Sequence, residues 1–353
     1  MATKTVAIDV GATAIRVAEV ELKGGGDPRV GAVLHAYAER PMPAGVMRDG
    51  SIEEPGAFAQ VVKEVVSAAK PSGKKVVIAV GHPSVIVREV DVPSQDMEKV
   101  RQSLAFHVQD SLPMAVDEAL LDFHPTSEVE TPQGPFLRGL LVASPKELVR
   151  GLLTGLNTTG VQPIAVDHSA FALWRAGCRG ELVGANIALV DVGAVTTTIA
   201  VSQSGATRLV RVLPQGGQDA TKAIANAYKG SSVDAEAVKR HVGMNAAAAN
   251  PEHRAAAEAV SHAMGPLIES IRNTLVYYAG NNPGAAVERI VLTGGGAYLS
   301  GFGQALSSAT RLAVMIGDPF AGLAMSKGVN PDGFRGREAE LATVVGMAMV
   351  GVR

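Results

Sequence analysis

The chain has 353 residues, 47% of them hydrophobic and 4% aromatic, which is material for more than one core and makes two lobes the natural expectation. With 32 basic and 34 acidic residues, a formal charge of −2 and no basic block, it lacks the clustered Lys and Arg from which a nucleic-acid binder draws affinity. A single cysteine, Cys178, read as a buried inert thiol, excludes a disulfide framework and CxxC motifs, and no HxxxH or HExxH spacing points to a metalloenzyme. No signal-peptide pattern and no run of 18 apolar residues is present, so a cytoplasmic protein is expected.

Residues through Val20 read as two strands joined by a turn, in KTVAIDVGATAIRVAEV. GGGDPRV predicts a hairpin or loop, and VGAVLHAYAER a third strand. In AFAQVVKEVVSAA, Phe58, Val61, Val62, Val65 and Val66 recur with the i, i+3, i+4, i+7, i+8 spacing of an amphipathic helix. KPSGKK ends it. Ala68 and Lys75 stand where a Walker loop needs its first glycine and its Ser or Thr, so this is a helix-to-strand turn. From Val76 a separate unit is expected: strand KVVIAV, turn GHPS, strand VIVREVDV, and a helix from about Ser94 with Met97, Val100, Leu104 and Val108 on one face. Strands around ALLDFHP and FLRGLLVAS and a helix from Pro145 to Leu156 follow. VQPIAVDHSAFALWRAG then resumes the earlier pattern, which makes 76–160 an insertion. The second half repeats the first half's grammar: strand, turn and strand in NIALVDVGAVTTTIAV, a helix opened by PQGGQDATKAI, and helix up to about Gly280. NAAAANPEHRAAAEAV reads as a surface helix pair or loop. VERIVLTGGGAYLSGF is a strand, a triple-glycine turn and a helix start, and EAELATVVGMAMV a closing apolar helix.

DVGA thus occurs twice in matching contexts, at Asp9–Ala12 and Asp191–Ala194. An apolar strand delivers an aspartate to its end, and glycine lets the backbone bend close to a ligand. Successive N–H groups in such a turn make an anion nest, and a carboxylate beside phosphates suits magnesium held through water. The third turn is not a dinucleotide fingerprint, because Leu299 stands three residues after Gly296. Gly294, Gly295 and Gly296, followed by Tyr298, offer a bare backbone on which an adenine can rest.

AIDVGATAIRVAEV, ALVDVGAVTTTIAV and IVLTGGGAYLSG resemble the phosphate-1, phosphate-2 and adenosine motifs of the actin-like ATPase superfamily. More closely, the chain is similar to the PilM family of type IV pilus assembly proteins, relatives of the cell-division protein FtsA. That likeness rests on VGHPSVIVREVDVPSQDMEKVRQSLAFHVQDSLPMAVDEALLDFHP, VQPIAVDHSAFALWRAG, GGQDATKAIANAYKGSSVDAEAVKR and IGDPFAGL. The resemblance implies an α/β actin-like ATPase fold, two ribonuclease-H-like halves around a nucleotide cleft. The first half would be 1–75 plus 161–183, the FtsA-type insertion 76–160, the second half 184–215 plus 285–353, and a helical capping part 216–284.

It also implies ATP or ADP with Mg2+ as cofactors. Asp9 and Asp191 would orient metal-bound water, and Gly11, Ala12, Thr13, Gly193 and Thr196 would line the phosphates with Arg16 nearby. Gly216 and Gly217, Glu236 and Lys239, and Gly294, Gly295, Gly296 and Tyr298 would complete the pocket, Glu236 and Lys239 reaching the ribose and adenine from one helix face. Ala194 stands where actin has an acid near the attacking water, and Ala12 and Ala14 replace frequent serines. No general base is evident, and hydrolysis is expected to be slow or absent. The implied function is a scaffold of the pilus inner-membrane platform. Its partners would be other platform proteins and the N-terminal cytoplasmic peptide of a PilN-like single-span membrane protein, held at the insertion by Phe106, Leu112 and Phe123. The chain itself would not insert in the membrane. An FtsA-like filament protein would usually add a linker and a terminal amphipathic helix after the last domain helix. A small-molecule kinase of the superfamily would need larger insertions with an aspartate base, and no GxSxG elbow supports a hydrolase.

Overall fold

The computed structural model describes residues 3–23, 31–48, 50–132, 134–228, 234–245 and 250–351; the expected GGGDPRV hairpin or loop lies outside them. The chain opens with β1 (Thr3–Val10), β2 (Ala14–Leu22) and β3 (Ala32–Pro41), then the two-residue strands β4 (Met47–Arg48) and β5 (Ser51–Ile52), helix α1 (Pro55–Ala69) and β6 (Lys75–Val80). Next come β7 (Ile86–Pro93), α2 (Met97–Val108), β8 (Ala119–Thr131), β9 (Gly134–Pro145), α3 (Lys146–Leu156), β10 (Gln162–His168) and α4 (Ser169–Gly177). The later part runs β11 (Ile187–Val192), β12 (Thr197–Gln203), β13 (Ala206–Leu213), α5 (Gly217–Ala227), α6 (Ala235–Val242) and α7 (Pro251–Asn281). It ends with β14 (Arg289–Thr293), α8 (Phe302–Thr310), β15 (Ala313–Ile316), β16 (Leu323–Met325) and α9 (Ala342–Ala348).

Two mixed sheets carry the lobes, ordered β10-β6-β1-β2-β3-β16 and β13-β12-β11-β14-β15. Both sheets are covered on both faces, which is why β1 and β11 read as continuous apolar runs. Val6 and Ile8 pack toward α1, while Ala7 packs toward α9 on the opposite face. Likewise Ala188, Val190 and Val192 join the core under α7, and Ile187 and Leu189 meet α4. The helices α4 and α9 form the layer between the lobes, α9 against β1 and β2 and α4 against β11 and β12. Among the described residues a third sheet, β7-β9-β8, carries α2 on one face through Val100, Leu104 and Val108.

Three expectations change. The strand expected to open the insertion, β6, lies between β10 and β1, with Val76–Ile78 paired in parallel to Val6–Ile8. The C-terminal stretch expected to belong to the second half returns to the first, where β16 pairs with β3 and Leu341, Val344 and Val345 fill the core on that sheet. Apolar runs announce strands but not their partners, so these crossovers were invisible to pattern. From Pro251 the alanine-rich stretch is the start of α7, a 31-residue helix rather than a surface pair or loop, while residues 246–249 lie outside the described ones. Ala257, Val260, Met264, Leu267, Ile271, Leu275 and Tyr278 recur along it as one buried seam.

Candidate functional site

The two DVGA turns have the same geometry. Gly11 N–H donates to the Ala14 carbonyl at 3.0 Å, and Gly193 N–H to the Thr196 carbonyl at 2.9 Å. A Cβ on either glycine would stand 2.9 Å from that same carbonyl, so the turn closes only on glycine. Each aspartate sits on the strand end ahead of its turn, Asp9 opposite Arg16 and Asp191 opposite Thr198. Burial raises the pKa of both carboxyls. For Asp191 it reaches about 6, with Asp9 adding repulsion and the Thr293 hydroxyl, donating at 2.9 Å, opposing the rise. Ala12 and Thr13 are exposed at the first turn, and the Thr13 carbonyl accepts from Met42 N–H.

The glycine turn after β14 packs on the end of β11. Gly294 has a φ of 78°, and a Cβ there would lie 2.5 Å from the Val192 carbonyl; at Gly296 it would lie 2.7 Å from Val192 Cβ. Gly295 and Tyr298 belong to the short 3-10 turn that follows. Asp9 stands near enough across the lobes to raise the pKa of Asp191, and the third turn packs on the strand that carries Asp191, so the three face one interlobe cleft.

Arg16 is placed there but is not free. Its Nε donates to Glu39 Oε2 at 2.7 Å, its Nη2 to Glu340 Oε2 at 3.4 Å, and its Nη1 lies 3.8 Å from Asp9. Burial disfavours this guanidinium charge, but Asp9, Glu39, Tyr37 and Glu340 more than offset that and raise its pKa. The expectation of a basic residue aimed at phosphates becomes that of a cation shared among three carboxylates.

Two further expectations are corrected in the capping part. The amides of Gly217 and Gln218 donate to the carbonyls of Gly193 and Ala194 at 2.9 and 2.8 Å, and a Cβ on Gly216 would stand 2.5 Å from the Ala194 carbonyl. Gly216 is thus a glycine because α5 docks on the second DVGA turn, while Gly217 serves that docking through its backbone. The ammonium of buried Lys239 donates to the Gly217 carbonyl, the Thr221 hydroxyl and Glu236 at 3.1, 3.0 and 2.6 Å, which uses its three protons. It ties α6 to α5 instead of reaching into the cleft. Glu236 remains partly exposed; burial would raise its pKa, but Lys239, Arg240 and Thr221 hold it at about 2.

The insertion residues Phe106, Leu112 and Phe123 do not form one surface. Phe123 is 2% exposed in the core under α2, Leu112 packs at its edge, and Phe106 is 73% exposed on the outer side of α2. A different candidate for an apolar groove lies on the opposite face of β8. Leu120, Asp122 and His124 alternate toward it, as do Ile164, Val166 and His168 on β10. The rings of His124 and His168 each lie 5.8 Å from Phe171 of α4. The two strand faces converge on that ring, with Leu120, Ile164 and Val166 exposed at 43, 42 and 41%.

Sequence reasoning missed Glu39, Arg337, Glu340 and Thr293 around the cleft, and Leu120, Ile164, Val166 and Phe171 around the groove. Only Thr293, which immediately precedes the triple glycine, carried a positional signal. Two carboxylates that feel each other across a cleft fit a hydrated magnesium ion, which keeps its waters readily. Among the described residues, no group of three or more His, Cys, Asp or Glu could hold a metal, and no helix is long and apolar enough to cross a membrane.

The model of the family "Type IV pilus assembly protein PilM" matches residues 7–352. Across 99% of this chain and 98% of the other, the fold superposes on a solved PilM-PilN type IV pilus biogenesis complex, with a TM-score of 0.82 and 26% identity. FtsA of Streptococcus pneumoniae is 24% identical over 258 residues, 67% of this chain and 55% of the relative; for Bacillus subtilis FtsA the figures are 31% over 107 residues, 30% and 24%. The chain thus spans about half or less of the length of the curated relatives it matches. MreB5 of Spiroplasma citri bound to AMPPNP, at 12% identity and a TM-score of 0.54 over 99% of this chain and 96% of the other, shares the fold alone. The fold is that of the actin-like ATPases, and the chain belongs to the PilM family of type IV pilus assembly proteins.

Proposed function

We propose that the chain is a nucleotide-binding scaffold of the type IV pilus inner-membrane assembly platform. ATP or ADP with Mg2+ lies between the DVGA turns, and the groove between β8 and β10 holds the N-terminal cytoplasmic peptide of a PilN-like membrane protein. The observation that carries the nucleotide part is the duplicated turn, closed by the same hydrogen bond in both lobes, with an aspartate ahead of each copy. Exposed Ala12 and Thr13 offer backbone donors to phosphates, and Asp9 and Asp191 orient the waters of the ion. Ala194 brings no acid to activate a water, so the nucleotide holds the lobes together rather than driving a fast cycle.

The peptide part rests on the resemblance to the PilM-PilN complex and on the apolar groove. Burying two or three aliphatic side chains against Leu120, Ile164, Val166 and Phe171 contributes about 5–9 kcal/mol gross. Ordering a flexible peptide offsets several of those and leaves affinity around the micromolar range. Under this reading the insertion begins at β7 rather than at residue 76, and the C-terminal segment from β16 onward serves the first lobe. The test is a fluorescence-anisotropy titration with a synthetic N-terminal peptide of the PilN-like protein. Val166→Asp is expected to abolish binding and Phe106→Ala to leave it intact; the reverse pattern would return the partner to the outer face of α2.

A further inference from the structure

Nothing so far assigns a role to the short 3-10 turn Glu338–Leu341. It is held by residues of both lobes. On the first-lobe side, Glu340 Oε2 accepts from Arg16 Nη2 at 3.4 Å and from Arg337 Nη1 at 3.2 Å. On the second-lobe side, the Ala339 carbonyl accepts from Gly294 N–H, and Ala339 N–H donates to the Tyr298 hydroxyl, both at 3.0 Å. Glu340 Oε1 would lie 4.0 Å from a Cβ on Gly295, and Arg16 Nη1 3.9 Å from one on Gly11. The Arg16–Glu340 pair therefore spans from beneath the first DVGA turn to beneath the triple-glycine turn.

We propose that Glu340 is a built-in competitor for the phosphates of the nucleotide: its carboxylate holds the Arg16 Nη2 donor in the free cleft, bound phosphates take that donor over, and the first lobe is released from the Ala339–Glu340 bridge. The proposal rests on the nucleotide reading of the same cleft. Phosphate oxygens make charge-assisted bonds to guanidinium at least as good as those of a carboxylate, and they bring more negative charge. The exchange strands no ion. Arg16 keeps Glu39 on its Nε, and Glu340 keeps Arg337, which also reaches Glu39 at 3.5 Å and the Gly333 carbonyl at 3.2 Å. A buried charge left without a partner would make such a swap prohibitive, and Arg337 removes that obstacle.

Glu340 and its partner Arg337 predict effects of opposite sign, which a merely structural role would not. In calorimetric titrations of the full chain with MgADP and MgATP, Glu340→Gln should tighten binding about three- to tenfold, the scale of one partly exposed ion pair. Arg337→Gln should weaken it by a similar factor, because Glu340 then has nowhere else to go. Unchanged or weaker binding by Glu340→Gln, beside a wild type that binds, overturns the competition alone. A wild type that binds neither nucleotide overturns the nucleotide reading itself. Amide hydrogen exchange of the wild type needs no variant: MgADP should slow exchange around Gly11–Ala14 and speed it at 336–341. Slower exchange at both segments would mean that the nucleotide reinforces the bridge, against the proposal.

Discussion

Gly346 of α9 lies directly against the backbone of α4, the other helix between the lobes. A methyl group built there would lie 2.5 Å from the carbonyl carbon of Ala172 on α4, 3.1 Å from its Cα, and closer still to its oxygen. Two ordinary effects favour Gly346→Ala. Alanine is better than glycine inside a helix by about 1 kcal/mol, and one buried methyl adds about 0.8 kcal/mol. Against them stands backbone overlap that no rotamer relieves, because both atoms belong to rigid helices. Relief requires α4 and α9 to separate by about 1 Å, and α9 is wedged between α4 and the first sheet. Overpacking costs about 1–3 kcal/mol where side chains can yield, and more where only backbone can move. A net loss of about 2–3 kcal/mol is expected. At about 2.1 cal/mol/K per residue the unfolding entropy of this chain is about 0.7 kcal/mol/K, so Tm should fall by about 3–4 °C. Differential scanning calorimetry of the full chain measures this directly. A Tm equal to or above that of the wild type would show that the α4–α9 contact is slack, and the account of a rigid interlobe layer would fail.

Asp191, raised to about 6 from an ordinary value near 3.8, gives a pH test with two signs. The fold binds more protons than the unfolded chain between about pH 4 and 6, so rising pH should cost the nucleotide-free protein about 3 kcal/mol from this group, seen in denaturation midpoints. If Asp191 orients magnesium as proposed, the ion needs its carboxylate, so Mg-dependent nucleotide affinity should instead be about tenfold higher at pH 7 than at pH 5; equal affinities would exclude Asp191 from that role. Asp9→Ala should weaken Mg-dependent binding about 10–100-fold while leaving metal-free binding nearly unchanged, and equal losses in both would point to a purely structural Asp9. Lys239→Met should loosen α6 by about 2 kcal/mol, read as faster amide exchange in 235–242, since it deletes three hydrogen bonds from a charged donor; unaltered protection would mean that packing alone holds the helix.

The fold was legible where the sequence repeats itself. DVGA recurs because each lobe closes its first hairpin with the same short glycine turn, and that constraint is local, so the residues display it. The seam of α7 was hidden in an alanine-rich run, because small buried residues such as Ala256 and Ala257 look identical to exposed ones in composition. Among the candidate site residues, Gly11 and Gly193 were legible because a Cβ at either would meet a carbonyl of its own turn, and Asp9 and Asp191 only by their position ahead of those turns. Arg16 and Lys239 stand out along the chain, yet their partners Glu39, Glu340, Gly217 and Thr221 come from other elements, and only tertiary packing reveals that these cations are already committed. Phe123 misled for the converse reason. An aromatic at a strand position is equally compatible with either face, and the pairing of β8 with β9 turns it inward against α2.

Groove and cleft share one mechanical element. Along β10, Val166 faces outward to the groove, while the next residue, Asp167, pairs with Arg175 of α4, whose Nε donates to the Gly346 carbonyl of α9 at 2.8 Å. The same α4 carries Phe171 at the apex of the groove, and α9 follows directly from the turn that holds Glu340 under Arg16. A peptide bound as proposed, against β10 and Phe171, would therefore load the helix pair α4–α9 that leads to the Glu340 turn. That pair has no side chain at its contact point to absorb a shift, because the touching surfaces are Gly346 and the backbone of Ala172. Displacement at one site is then passed on rather than dissipated, as expected where packing is close and both elements are rigid. By linkage the effect runs both ways: whatever nucleotide does to peptide affinity, peptide does to nucleotide affinity by the same factor.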